Sequence, residues 1–476
     1  MQIQSMHFKA RVTDKLADSV LQDNLRKTKS KFVGKRAQAI QELPEFEATR
    51  EAARAIRDRV LNDLDHWLLA FEQEASRRGA TVLWARDGDE VCRLVLEIAA
   101  RHDCRKVVKS KSMLSEESGL NQALEAAGVV PVETDLGEYI LQLNDNEAPS
   151  HIIAPVFHKS KEEVSELFAR RHGTPRKTDI TALAREAREQ LRPQFLSADM
   201  GISGGNFLIA ETGSVALVTN EGNGRMCTTV PRVHVAITGV EKIVPTLEDF
   251  ATLMRLLPRS ATGQSISNYV SLLTGTRGEQ ESDGARHMYF ILVDAGRVDL
   301  VHGEFQEMLR CIRCGACMNH CPVYQTVGGH AYGWVYPGPM GSVLTPLFQG
   351  LERAIDLPNA ATMCNQCGVV CPVKIPLPDL LRKLRTKQIE LKLRPWSERM
   401  AIRLWAWVAA RPALYAWLAA RGARYLKWLA GERAYIDMLG IAPGWTSTRA
   451  FPAPQGKTFR ELHAEQAKAA TRGAHH

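Results

Sequence analysis

The chain has 476 residues, of which 45% are hydrophobic and 24% charged, a composition that suits two or three globular domains and excludes a largely disordered protein. It opens MQIQSMHFKA without an apolar signal segment, so we expect a reducing, cytoplasmic compartment rather than secretion with disulfides. The formal net charge of +8 is concentrated in residues 380–433, where thirteen Lys or Arg face three Glu.

Residues 1–75 predict helices, because they are rich in Lys, Arg, Glu and Ala at helical spacing, as in EATREAARAIRDRVLNDLDHWLLAFEQEA. From residue 76 to about 300, short β-branched runs alternate with helical segments, which is typical of an α/β domain with mostly parallel strands. The predicted strands are TVLWA, KVVKS, VVPVE, HIIAP, NFLIA, SVALVT, HVAIT and HMYFILVD.

A glycine-rich stretch, residues 201–229, flanks two of these strands and lets the backbone turn sharply near a ligand. Glu211 stands where a strand ends and is a candidate site carboxylate, either ligand-binding or catalytic in acid–base chemistry. The alternative is a hairpin in which Glu211 accepts hydrogen bonds from nearby backbone amides. The polar residues 109–112 also follow a strand and could bind a carboxylate or phosphate. No G-x-G-x-x-G turn before a helix and no Walker A run is present, so a nucleotide cofactor is not indicated.

Seven of the ten cysteines form two motifs that predict iron–sulfur chemistry. The first motif is CIRCGACMNHCP, with Cys311, Cys314, Cys317 and Cys321, and it has the spacing of bacterial ferredoxins. The second motif is CNQCGVVCP, with Cys364, Cys367 and Cys371. Zinc fits seven thiolates and two Cys-Pro endings poorly, and a reducing compartment disfavours disulfides.

Two-cluster ferredoxins exchange the cysteine before each proline between their clusters. The same exchange assigns Cys311, Cys314, Cys317 and Cys371 to cluster one, a 4Fe-4S cube, and Cys321, Cys364 and Cys367 to cluster two. Cluster two has one thiolate fewer, because Ala361 occupies the position where a fourth cysteine would stand. It is therefore either a 3Fe-4S centre or a 4Fe-4S cube with a non-cysteine or open iron site.

Residues 301–385 thus predict a helical, ferredoxin-like two-cluster module, and residues 386–476 predict a helical extension with a flexible tail. The extension reads WSERMAIRLWAWVAARPALYAWLAARGARYLKWLAG, which suits two helices parted at Arg411-Pro412, each with an aromatic and an arginine face. Its aromatic residues could pack on the protein's own core, dock onto a partner subunit or contact an anionic membrane surface. Its longest uncharged run is nine residues, too short to span a bilayer, and no nucleic-acid motif accompanies it.

These motifs, in this order, resemble the bacterial lactate-utilization protein B family over essentially the whole chain. The segments that carry the resemblance are VVKSKSMLSEE, VETDLGEYILQL, PSHIIAPVFH, IAETGSVALVTNEGNGR, YGWVYPGPMGSVLTP and the two cysteine motifs. The resemblance implies that residues 76–300 form a lactate-utilization domain, similar in fold to sugar-phosphate isomerases and coenzyme A transferases. It places the cluster ligands on the same seven cysteines.

The resemblance also implies a three-protein cytoplasmic system that oxidises L-lactate to pyruvate. One partner would resemble the cysteine-rich subunit of heterodisulfide reductase, and the other would carry a second lactate-utilization domain. We therefore expect an electron-transfer subunit that is non-catalytic or co-catalytic in an oxidoreductase complex. Two alternatives remain: a catalytic subunit that binds substrate at the open iron of cluster two, and a cluster-based redox or ligand sensor.

Overall fold

The computed structural model describes residues 3–440, 443–447 and 449–473. The chain divides into two compact units, Met1–Gln388 and Ile389–His476. The α-helices, numbered in chain order, are α1 Phe8–Ala17, α2 Ser19–Gln41, α3 Phe46–Asn62, α4 Leu64–Arg77, α5 Gly88–Arg101, α6 Met113–Ser118, α7 Leu120–Ala126, α8 Leu136–Leu143, α9 Lys161–His172, α10 Ile180–Leu196, α11 Asn223–Thr229, α12 Leu247–Ala261, α13 Ala316–Asn319, α14 Tyr324–Val327, α15 Gly338–Gln349, α16 Gln366–Val369, α17 Leu377–Glu390, α18 Trp396–Ala409, α19 Pro412–Ala430, α20 Pro443–Thr446 and α21 Phe459–Gly473.

The β-strands form three sheets. Numbered in the same way, they are β1 Thr81–Ala85, β2 Lys106–Lys109, β3 Val130–Glu133, β4 Met200–Gly204, β5 Phe207–Ile209, β6 Ser214–Thr219, β7 Val233–Gly239, β8 Ile243–Val244, β9 Tyr269–Leu273, β10 His287–Val293, β11 Tyr435–Ile436 and β12 Phe451–Pro452.

The main sheet has six strands in the order β1-β10-β7-β4-β2-β3, and every neighbouring pair is parallel. Helices cover both faces, so the central strands are buried, including every residue of β7. The predicted α/β architecture with a mostly parallel sheet is therefore confirmed. All carboxyl ends of these strands lie at one edge of the sheet.

A second, four-stranded sheet has the order β8-β5-β6-β9 and is mainly antiparallel. Strands β5 and β6 form a hairpin that turns at Gly213, whose φ is +61°. A β-carbon on Gly213 would lie 2.2 Å from the backbone nitrogen of Ala75, so the turn packs directly on the end of α4. Both the backbone angle and the close packing require glycine here.

Two parts of the α/β unit differ from the sequence prediction. HIIAP, residues 151–155, is a loop and not a strand, because the imidazole Nδ1 of His151 accepts hydrogen bonds from the amides of Ile153 and Ala154 and curls the backbone. Strand β4, in contrast, was not predicted, because its glycines indicated turns. A β-carbon on Gly201 would lie 1.7 Å from the carbonyl oxygen of Cys227, so this glycine lets α11 pack against the strand.

The cysteine-containing segment shares a hydrophobic core with the second sheet and helix α12. Phe207 on β5 and Leu253 on α12 belong to the same buried cluster as Met308 and Tyr332 of that segment. The helices α1 to α3 also pack on the segment: Ser5 donates to the carbonyl of Tyr332, and Arg11 donates to that of His330. The module therefore folds as one body with the α/β domain.

The second unit contains α18 and α19, which are separated at Arg411-Pro412 as the sequence predicts. Proline at the start of α19 fits there because its missing N–H has no partner in the first turn. Trp405 and Trp428 are 65% and 75% exposed. Within the described part of the chain, no helix combines the length and apolar composition needed to cross a membrane.

Acid is expected to destabilise the fold through His234, which lies on β7 with no exposed surface and hydrogen-bonds through Nε2 to Ser203 Oγ at 2.9 Å. Burial lowers the pKa of His234 to about 4, whereas an unfolded histidine titrates near pH ~6.5. Between these values the unfolded chain takes up a proton that the folded chain does not, so stability falls as pH falls. The loss reaches up to about 3 kcal/mol below pH ~4. Thermal unfolding between pH 7 and 4 should show a shallower pH dependence in H234Q than in the wild type; equal slopes would contradict this assignment.

Candidate functional site

The structure brings the seven motif cysteines together in two neighbouring cavities. The first cysteine cavity is lined by Cys311, Cys314, Cys317 and Cys371, so it combines three residues of the first motif with the last residue of the second. The second cysteine cavity is lined by Cys321, Cys364 and Cys367, with Ala361 also in its wall. Each cavity thus groups the cysteines that the exchanged assignment places together, and the assignment of cluster ligands stays a prediction.

Two short helices, each preceded by a left-handed residue, present Cys317 and Cys367. Gly315, with φ +74°, precedes α13, and Asn365, with φ +62°, precedes α16. Backbone amides point at several sulfurs: Arg313 N lies 3.4 Å from Cys311 Sγ, and Ile375 N lies 3.3 Å from Cys371 Sγ. Such N–H···S contacts tune the potential of a cluster held by those sulfurs.

Basic side chains from the N-terminal helices hold the backbone of the cysteine loops. Arg36 on α2 donates to Val370 O at 2.8 Å, and Arg50 on α3 donates to Cys371 O at 3.0 Å. Their charges lie beside a site that would be anionic with four thiolates. The N-terminal helices therefore contribute to the environment of the first cysteine cavity.

The donor set fits iron–sulfur clusters. The first cysteine cavity offers four soft thiolates around an apolar space, as a 4Fe-4S cube requires. Burial raises the pKa of Cys314 to about 12, and of Cys367 also to about 12, so both bare thiols are protonated at neutral pH. Ligation by thiolate must therefore release protons. Cys364 is the exposed member of the set.

The aromatic segment between the two motifs covers both cavities from inside the fold. Tyr332, Trp334 and Tyr336 are buried, Pro339 lines the second cysteine cavity and Met340 lines the first. The segment is therefore part of the buried wall of the two cysteine cavities.

A third and larger cavity, the sheet-edge cavity, has a volume of about 300 Å³ and lies at the carboxyl ends of the main-sheet strands. Ser110 follows β2, Gly204 ends β4 and Thr238 stands near the end of β7, and all three line it. Its far wall includes Ile312 and Arg313 of the first cysteine motif. Ile312 and Arg313 also line the first cysteine cavity, so these two residues form a wall that the two spaces share.

A buried ionic network lies where the sheet-edge cavity meets the cysteine module. Arg297 forms ion pairs with Glu117 (Nη2 to Oε2, 2.9 Å) and with Glu241 (Nε to Oε2, 3.0 Å). Arg313 lies 3.5 Å from Glu241 and stacks on the ring of Tyr336. Burial alone would raise the pKa of Glu241, but Arg297 and the neighbouring cations hold it at about 2.

Lys242 connects this network to the cysteine loop, because its Nζ donates to Cys311 O at 2.9 Å. Burial lowers the pKa of Lys242 to about 7. The amine can donate hydrogen bonds in either protonation state.

Glu211 lies outside the sheet-edge cavity. It is exposed, and its Oε2 accepts a hydrogen bond from the backbone N–H of Leu247 at 2.8 Å, at the first residue of α12. This contact matches the alternative interpretation of the sequence, in which the Glu211 carboxylate accepts a hydrogen bond from a backbone amide. A negative charge there also interacts favourably with the positive end of the helix dipole.

We expect E211A to lower the free energy of unfolding by roughly 0.5–1 kcal/mol through the lost contact at the start of α12. Thermal unfolding of E211A and the wild type would measure this difference in stability. Lactate-dependent turnover in an assembled system tests the catalytic prediction for Glu211 separately. If E211A lost much more turnover than the loss of folded protein explains, the catalytic prediction for Glu211 would be supported.

Several site residues were missed or only partly anticipated from the sequence. Residues 110–112 of the predicted anion-binding loop do line the sheet-edge cavity. Glu241 and Lys242 are adjacent charged residues two positions after the end of β7, a pattern that could have indicated a site at this end of the strand. The sequence shows Arg313 as a charged residue between two motif cysteines, but its position in the wall of the sheet-edge cavity depends on the tertiary structure.

Three family models match the chain: a LUD domain over residues 68–293, a 4Fe-4S dicluster domain over residues 307–375, and the C-terminal region of lactate utilisation protein B over residues 387–468. Among solved structures, a DUF162 family protein from Deinococcus radiodurans shares 14% identity and covers 48% of this chain and 98% of its own, at a TM-score of 0.28. A likeness of that size supports no structural conclusion.

Curated relatives match over nearly the full length. Lactate utilization protein B of Bacillus licheniformis is 40% identical over 98% of both chains, and that of Shouchella clausii is 41% identical over 100% of this chain and 99% of its own. The uncharacterized electron transport protein YkgF of Escherichia coli is 40% identical over 95% of both chains. At this identity and coverage, the chain belongs to the lactate utilization protein B family.

Proposed function

We propose that this protein is the iron–sulfur electron-transfer subunit of a multi-protein system that oxidises L-lactate to pyruvate and allows growth on lactate. The observation that carries the proposal is the grouping of seven cysteines into two neighbouring, mostly buried cavities. When bound, two clusters would supply one-electron steps for the pair of electrons that a 2-hydroxy acid releases. The names of the relatives, which refer to lactate utilization and electron transport, support this role.

The ligands in this proposal follow the two cavities. Cys311, Cys314, Cys317 and Cys371 would hold cluster one as a 4Fe-4S cube. Cys321, Cys364 and Cys367 would hold cluster two, either a 3Fe-4S centre or a 4Fe-4S cube with another ligand. Oxygen donors lie in the wall of the second cysteine cavity, which includes the side chains of Thr362, Asn365 and Gln366.

The proposed partners are a cysteine-rich subunit resembling that of heterodisulfide reductase and a second protein with a lactate-utilization domain. The exposed aromatic and arginine side chains of α18 and α19 support a docking role for the second unit. Contact with an anionic membrane surface is the alternative use of the same helices. We also propose that the α/β domain is similar in fold to sugar-phosphate isomerases and coenzyme A transferases, and that the system works in the cytoplasm.

A second candidate function, that of a catalytic subunit, is favoured by the sheet-edge cavity. It is large enough for a small organic acid and its wall is shared with the first cysteine cavity through Arg313. Among the described residues that line it, none belongs to the second cysteine motif. This position favours a substrate near cluster one over one bound at the open iron of cluster two.

The test is anaerobic. L-lactate is mixed with the cluster-loaded protein, first alone and then with the two proposed partners, while the visible absorbance and the paramagnetic signal are followed. We expect reduction only in the complete mixture. Reduction of the lone chain would assign catalysis to it. No reduction in either mixture, with dithionite showing intact clusters, would overturn the proposal and favour a redox sensor.

A further inference from the structure

We propose that the sheet-edge cavity binds a small 2-hydroxy or 2-oxo monocarboxylate, with the carboxylate against Arg313 and Lys242 and the 2-oxygen against the hydroxyls of Ser110 and Thr238. This inference rests on the proposed function, since it names where in this chain the substrate or product of that system binds. A volume of about 300 Å³ leaves ample room for a ligand of this size.

The position of the cavity is where sheets of this kind bind ligands. Strand β2 continues to its neighbour β3 on one side, whereas β4, on the other side of β2, leads away to β7. Adjacent strands whose connections leave in opposite directions open a crevice at their carboxyl ends. Ser110, directly after β2, and Gly204, at the end of β4, line the cavity at this crevice.

Two hydroxyl groups in the wall lack a hydrogen-bond partner in the described structure. Ser110 and Thr238 are each 2% exposed, and neither Ser110 Oγ nor Thr238 Oγ1 is hydrogen-bonded there. A buried hydroxyl without a partner costs free energy, and a ligand oxygen would remove that cost. Gly205 leaves the space beside them free, because a β-carbon there would lie 2.4 Å from Thr238 Oγ1.

Arg313 and Lys242 have donor capacity left for a carboxylate. The one hydrogen bond found for the Arg313 guanidinium runs to the thioether sulfur of Met340 at 3.5 Å, and its ion-pair contact with Glu241 is also 3.5 Å. The stacking of Arg313 on Tyr336 fixes the plane of the guanidinium and leaves its edge available. Lys242 uses one N–H for Cys311 O, which leaves at least one more donor.

The contrast with Arg297 supports this choice of cations. Arg297 is held by both carboxylate oxygens of Glu117, at 2.9 and 3.2 Å, and by Glu241 at 3.0 Å. Its charge is therefore already paired inside the wall. Arg313, next to it, is the guanidinium with weak partners, and together with Ile312 it forms the wall shared with the first cysteine cavity.

The experiment measures ligand binding to the full-length, cluster-loaded protein by anaerobic calorimetry, using L-lactate, pyruvate, propionate and lactamide. Propionate lacks the 2-oxygen and lactamide lacks the negative charge. We expect L-lactate and pyruvate to bind at least about tenfold more tightly than either analogue, the size expected for one hydrogen bond to a charged or buried group.

The variants S110A and T238V should each weaken L-lactate binding about tenfold and leave propionate binding unchanged. T13V is the matched control, because Thr13 is exposed on α1 and its hydroxyl bonds only within that helix, to Lys9 O. Unchanged iron content and absorption spectra in all three variants would show that the fold is intact. Equal binding of all four ligands, no binding of any, or wild-type lactate affinity in both hydroxyl variants would overturn the inference.

The two proposals fail separately. Reduction in the complete mixture without lactate binding to the lone chain would keep the electron-transfer function and remove the cavity assignment. Lactate binding that depends on Ser110 and Thr238, without reduction in the complete mixture, would keep the cavity assignment and remove the electron-transfer function.

Discussion

C371S is expected to lose cluster one, although Cys371 belongs to the second cysteine motif. The reason is that Cys371 shares a cavity with Cys311, Cys314 and Cys317 and not with Cys364 or Cys367. C321S is expected to lose cluster two by the same reasoning. Each variant should retain roughly half of the wild-type iron, because one cluster remains on its own ligands.

The matched controls are cysteines that line the cavity of their own motif: Cys317 in the first cavity and Cys367 in the second. The paramagnetic spectrum of C371S should match that of C317S, and the spectrum of C321S should match that of C367S. Anaerobic reconstitution with iron analysis and electron paramagnetic resonance would show this. If C371S matched C367S instead, each motif would hold its own cluster, and the exchanged assignment would be wrong.

K109M is expected to lower the free energy of unfolding by about 3–5 kcal/mol, because it leaves buried carboxylates without their cation. Lys109 is 1% exposed, and its Nζ lies 2.6 Å from Glu133 Oε1 and 2.5 Å from Asn121 Oδ1. Burial alone would lower the pKa of Lys109, but the charges of Glu133 and Glu116 raise it. The ammonium is therefore charged in the folded protein.

The neighbouring Glu138 shows what the loss of Lys109 would do. Burial and the charge of Glu133 already raise the pKa of Glu138 well above its ordinary value. Without Lys109, one or more of these carboxyl groups must take up a proton or open the site to water. Thermal unfolding should show a large drop for K109M that E133Q partly restores in the double variant.

R105M is the surface control for K109M. Arg105 is exposed and pairs with Asp103 at 3.6 Å, so its loss should leave the melting temperature unchanged. Equal shifts for K109M and R105M would show that the buried network does not stabilise the fold as described.

The parts of the fold that local sequence determines were predicted well. Apolar β-branched runs gave strands such as β7 and β10, and the Arg411-Pro412 break between α18 and α19 followed from the missing N–H of proline. Strand β4 was missed because a distant contact decides its conformation: Gly201 makes room for α11. Residues 151–155 were mispredicted because a local side-chain contact overrides the strand pattern: His151 caps its own loop.

The sequence by itself determined that the cysteines suit iron–sulfur chemistry, because close spacing brings the leading thiolates of each motif together and the Cys-Pro endings indicate the exchange of the last cysteine between motifs. Only the tertiary structure decided where a small ligand could bind. Ser110, Thr238 and Arg313 come from three distant segments, and they meet because parallel strands bring their carboxyl ends to one edge, against which the cysteine module packs. Glu211, although also at a strand end, lies outside that edge, because β5 belongs to the second sheet.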